Sequence, residues 1–121
     1  MRRVWPALFA LGYAALILYL SSRSSLPVAL PSFHSADKVA HLLEYSGLGL
    51  LVAWTLGSYG LPRSKALLLA GIACSLYGAS DELHQLFVPG RECDLVDWLA
   101  DTTGGACGAV AWYWASRKEG Q

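Results

Sequence analysis

The sequence predicts an all-α fold: an integral membrane bundle of four transmembrane helices forming one domain over residues 1–121. Three observations predict it. Apolar residues make up 55% of the chain and charged residues only 15%, too little charge to cover a soluble domain of this size. Four apolar runs of about 17–23 residues, each long enough to cross a bilayer, are separated by short segments rich in Pro, Gly, Ser and charge. Five Trp and six Tyr are many for this length, and such rings favour membrane interfaces.

The same composition excludes other classes. The formal net charge is zero, so nothing points to a nucleic-acid partner. Cys74, Cys93 and Cys107 are odd in number and form no Cys-x-x-Cys pair, which argues against a disulfide framework. Cys74 and Cys107 lie inside apolar runs and read as small packing residues.

The first helix is expected over residues 4–21. It follows Arg2-Arg3 and resembles a signal peptide, but the run is long for that and Ser21-Ser22-Arg23-Ser24-Ser25 is a poor cleavage site, so it reads as an uncleaved membrane helix. Pro6 falls in its first turn, where a missing N–H costs little. Residues 21–36 read as a loop, with clustered serines, Pro27 and Pro31. Ser35 or Asp37 can cap the second helix, expected over 38–57. A turn carrying Gly60, Pro62, Arg63 and Lys65 leads to the third helix, 65–88, which Pro89-Gly90 stops. The fourth is expected over 94–115, with Asp94 a candidate N-cap and Asp97 favoured by the helix dipole.

Basic residues set an expected orientation. Arg2, Arg3, Arg63, Lys65, Arg117 and Lys118 fall on one side of a four-span arrangement, and Arg23, Lys38 and Arg91 on the other. The richer side should be cytoplasmic, which puts both termini inside a cell membrane. The polar ends of helices two, three and four then meet on the outer side.

Helical spacing sorts the residues at that end into stripes. Asp37, His41 and Tyr45 repeat every four residues on helix two; Tyr77, Asp81 and either His84 or Gln85 do so on helix three. Asp94, Asp97 and Asp101 share a face of helix four, with Asp101 about 10 Å below Asp94 at the rise of an α-helix. Carboxylates at that depth need protons, cations or hydrogen-bond donors, and Lys38, His41, Tyr45, Tyr77, Gln85 and Arg91 are the available donors. Glu44 points about 100° away from Tyr45, and His84 reads as facing water or headgroups. Gly104 and Gly108 make a Gly-x-x-x-Gly spacing, and Gly71, Ser75 and Gly78 a similar small face; both read as helix packing within one subunit rather than a dimer seam.

As an ordered set these residues resemble the VanZ-like family of small membrane proteins. The matching positions are Asp37-Lys38-Val39-Ala40-His41 with Tyr45, Tyr77-Gly78 with Asp81-Glu82 and Gln85, Pro89-Gly90-Arg91, and Asp97 with Ala100 and Gly104. Asp101 stands where the family often has Asn. The family takes its name from a protein of glycopeptide-resistance clusters associated with reduced teicoplanin susceptibility, so the resemblance implies a cell-envelope role and a possible link to antibiotic resistance.

Four functional readings stay open on the sequence. A binder would hold an anionic lipid or glycan group among Asp37, Lys38, His41, Tyr45, Tyr77, Asp81, Glu82, Gln85, Arg91, Asp97 and Asp101, with Lys38 and Arg91 attracting the anion. An enzyme acting on a lipid headgroup would use His41 as base with Asp37 or Asp81 as orienter, making His41, Asp81 and Glu82 the catalytic candidates. A divalent-metal site could draw on Asp81, Glu82, Asp97 and His41, but no signature spacing supports it, and no metal or cofactor is expected. A self-satisfied polar network would serve packing alone. Membrane lipids are the expected partners; oligomeric state is open.

Overall fold

The computed structural model describes residues 4–23, 36–90 and 93–119. Four helices run in order: α1 (Trp5–Ser22), α2 (Ala36–Ser58), α3 (Arg63–Gln85) and α4 (Leu95–Glu119). No strand occurs among the described residues. Each helix runs antiparallel to the one before it, so Trp5 and Glu119 belong to one end of the bundle and the polar ends of α2, α3 and α4 to the other.

Local chemistry sets the boundaries. Pro6 opens α1, where its lack of an N–H removes no helical bond. The helix then runs one residue past the expected end, so Ser21, read as loop, faces inward from the last turn and is buried. Asp37 lies inside the first turn of α2 rather than capping it, and the alternative cap, Ser35, lies outside the described residues. Gly60, at φ +94°, makes the left-handed turn between α2 and α3 that a side chain would strain. Helix α3 ends at Gln85, before the expected 88, because the chain tightens: Phe87 N–H bonds to His84 O and Val88 N–H to Gln85 O, three-residue turns that lead into Pro89. Asp94 is the α4 cap, its Oδ1 accepting the Val96 N–H at 2.9 Å. Arg117 and Lys118 complement the C-terminal dipole and α4 continues past the expected 115.

Packing centres on α2 and α4. A Cβ added to Gly104 would strike the Leu42 carbonyl, one on Gly108 the Ser46 carbonyl, and one on Gly49 the Gly105 carbonyl. The two backbones therefore touch, and the Gly104/Gly108 spacing serves packing inside the subunit. Gly78 meets Asp101, whereas Gly71, expected on the same packing face, has open space above it. Ile17, Tyr45, Leu48 and Cys74 pack in one cluster, and the small residues Ala53, Ala70 and Ala109 in another. Large apolar residues cover the outside, among them Leu11, Leu43, Leu76 and Leu99. An apolar exterior over a small-residue core is how helices pack in lipid.

Three helices, α1, α2 and α3, are long and apolar enough to cross a membrane; α4 is long enough but not apolar enough. The difference from the four expected spans has a physical reason. Helix α4 carries Asp97, Asp101, Thr102, Thr103 and three glycines where the other helices carry Leu and Val, and it buries most of that polar surface against α2 and α3.

Candidate functional site

The stripes on α2, α3 and α4 come together at one end of the bundle. Lys38, in the first turn of α2, projects to the start of α4. Its Nζ lies 2.7 Å from Asp94 Oδ2, 2.7 Å from Asp97 Oδ1 and 2.9 Å from Asp37 Oδ2. The three partners differ in burial: Asp37 keeps 52% of its side chain exposed, Asp97 only 10%. Asp94, ahead of the helix, is held below the usual carboxylate range by the Lys38 ammonium and the Val96 N–H.

One turn deeper, His41 Nδ1 lies 2.7 Å from Oδ1 of Asp101, which is fully buried. With Asp101 ionised and the imidazole neutral, Nδ1–H donates to it and Nε2 is left as the acceptor. That nitrogen lies 3.8 Å from Asp97 Oδ2. The orienter of His41 is thus Asp101, not Asp37 or Asp81 as expected from the sequence. Asp37 is tied to Lys38 at the surface, and Asp81 accepts a long bond from Tyr45 Oη at 3.4 Å.

Helix α3 contributes two more buried acids. Asp81 and Glu82 are both buried, and Glu82 Oε2 accepts the Asp94 N–H at 3.1 Å, tying α3 to the α4 cap. Asp81 Oδ1, Glu82 Oε1 and Asp101 Oδ2 are buried without a hydrogen-bond partner among the described residues.

Two expected donors turn elsewhere. Tyr77 Oη donates to the Ala14 carbonyl and Gln85 Nε2 to Ser21 Oγ at 3.2 Å, so both brace α1 rather than the acids. Gln85 still borders the pocket, and the Tyr77 ring packs beside Tyr45 with centroids 6.2 Å apart. His84, expected to face water or headgroups, is half-buried and hydrogen-bonds Ser22 Oγ at 2.9 Å. Arg91, expected among the donors to these acids, lies outside the described residues.

A pocket of about 240 Å³ opens at this end, lined by Asp37, Lys38, His41, Gln85, Gly90, Asp94 and Asp97. Its lining is polar, whereas the grooves along the sides of the bundle are apolar. Sequence reasoning missed several residues that hold the site in place. Ser75 takes Trp98 Nε1–H on its carbonyl at 2.9 Å and Thr102 on its hydroxyl at 3.1 Å, and Tyr13 Oη donates to the Glu44 carbonyl at 2.6 Å. In the sequence Ser75 reads only as part of a small packing face, and the others show only a hydroxyl or indole inside an apolar run.

No curated protein and no solved structure matches the chain. The family model described as VanZ/LLP1 matches residues 6–116, nearly its whole length and every described residue of the pocket. The apolar spans and the family agree on a membrane protein: the chain belongs to the VanZ-like family.

Proposed function

We propose that the pocket receives the phosphate or carboxylate of an envelope lipid or glycan at the outer face of the membrane. The observation that supports it best is the position of Lys38: a cation at the mouth of a polar pocket, at the end of an otherwise apolar bundle. Its ammonium has three donors and three carboxylate partners, of which Asp37 is the most exposed and the easiest to displace. An incoming headgroup anion takes the place of Asp37, while Asp94 and Asp97 keep Lys38 aimed. Arg91, next in sequence to the pocket residue Gly90, adds a second cation able to grip two oxygens.

This reading places α4 across the membrane as a fourth span. Its polar groups face α2 and α3, and Leu95, Val96, Leu99, Val110 and Trp114 face outward, so lipid meets an apolar surface despite the helix's modest hydropathy. Both termini then lie in the cytoplasm with the basic cluster of Arg63, Lys65, Arg117 and Lys118. A link to glycopeptide susceptibility would run through the same envelope ligand. Loss of bound anionic lipid on Lys38→Gln tests the proposal.

The His41–Asp101 pair favours a second reading, hydrolysis of a headgroup ester. Water attacks phosphorus, Nε2 takes the water proton and returns it to the departing oxygen, and Asp101 steadies the imidazolium. His41→Ala should then abolish headgroup release from added lipid; unchanged release would remove this reading and leave the binding site.

A further inference from the structure

We propose that Asp81, Glu82 and Asp101 form a site for a hard divalent cation beneath the pocket. Two observations coincide on these residues. One ligand oxygen from each lies within 4.8 Å of the others, close enough to share one ion with small adjustments. The same three carboxylates each keep a buried oxygen without a hydrogen-bond partner among the described residues: Asp81 Oδ1, Glu82 Oε1 and Asp101 Oδ2.

The other oxygen of each carboxylate is held. Tyr45 Oη donates to Asp81 Oδ2, the Asp94 N–H to Glu82 Oε2, and His41 to Asp101 Oδ1. One oxygen anchored by an outer donor and one left open is the pattern that orients carboxylate ligands around a metal. The charge balance points the same way. All three side chains are at least nine-tenths buried, and among the described residues neither Asp81 nor Glu82 forms an ion pair. Lys38 is engaged by Asp37, Asp94 and Asp97. Buried carboxylates are costly without a compensating cation. An all-oxygen donor set selects Mg²⁺, Mn²⁺ or Ca²⁺ over softer metals. His41, Glu82 and Asp97 form a second close group that shares Glu82 and borders the pocket, which gives the ion a route from the wet end. The cation would also offset the acids around the pocket and so strengthen the proposed anion binding, but the site is defined without any lipid.

The test uses the full chain purified in detergent, stripped with chelator and titrated with Mn²⁺ alone, with free Mn²⁺ followed by electron paramagnetic resonance. The expected result is a single Mn²⁺ per chain, with affinity reduced roughly tenfold or more in both Glu82→Gln and Asp101→Asn. Glu119→Gln, at the opposite end of the bundle, should bind as wild type. Thermal melting of each stripped variant identifies any that fails to fold, and Asp81→Asn then takes its place. No uptake by wild type, or uptake unchanged in the folded variants, would overturn the site. Because no lipid is present, failure here is distinct from failure of the headgroup reading.

Discussion

His41 on α2 and Asp101 on α4, sixty positions apart, meet at 2.7 Å with the carboxylate fully buried. This contact fixes the register of the two most closely packed helices at the level where the pocket ends. Removing the imidazole leaves the buried Asp101 carboxylate without its hydrogen-bond donor. We expect His41→Ala to destabilise the bundle by ~3 kcal/mol, on the scale of a broken buried pair, whereas His41→Ala combined with Asp101→Asn should cost less than the sum of the two changes. Denaturation in detergent of the two single variants and the double variant checks this; full additivity would mean that the contact carries no coupling.

The glycines make a paired prediction. Gly108→Ala drives a methyl into the Ser46 backbone, which can yield only if α2 and α4 separate. A loss of ~1–3 kcal/mol is expected from such overpacking. Gly71 has open space at its Cβ position, so Gly71→Ala should be neutral or stabilising by up to ~1 kcal/mol. Melting temperatures of the two variants should move in opposite directions or, at the least, differ clearly.

Orientation is testable through the thiols. Cys93 is exposed between α3 and α4 at the pocket end, Cys74 is buried, and Cys107 faces outward in mid-helix, where lipid would cover it. An impermeant thiol reagent added to intact cells should label Cys93 alone, and a C-terminal protease site should be cut only in inverted vesicles. Labelling of Cys93 confined to inverted vesicles would reverse the topology; a C-terminus accessible on the same side as Cys93 would mean that α4 does not span.

The helices and the meeting of the stripes were legible in the sequence for one reason: both depend on spacing along a helix. Apolar runs set the lengths, and a repeat of four placed Asp37, His41 and Tyr45 toward one direction. What spacing does not give is the neighbour a stripe faces. Asp101 therefore went unrecognised as the partner of His41, and Tyr77 and Gln85 were assigned to the acids although they reach α1. That error had a local cause. Ser21 sits among serines that read as loop, yet α1 runs through Ser22 and makes it an inward-facing acceptor for Gln85. The low hydropathy of α4 has the opposite lesson: its polar residues are inside, and only the fold shows which side of the helix lipid would meet.

Retention of lipid tests the central claim most directly. Wild-type protein and the Lys38→Gln variant, reconstituted in nanodiscs of phosphatidylcholine with a minor fraction of phosphatidylglycerol, would be released into the gas phase and weighed with their bound lipid, with His84→Ala, outside the pocket lining, as control. The account predicts that wild type and the control retain phosphatidylglycerol in clear excess over its share of the bilayer, and that Lys38→Gln, still folded, loses that excess. Equal retention of the two lipids by wild type, or the same excess in folded Lys38→Gln, would contradict an anion site at Lys38 and leave the cluster as a network that holds the helices together.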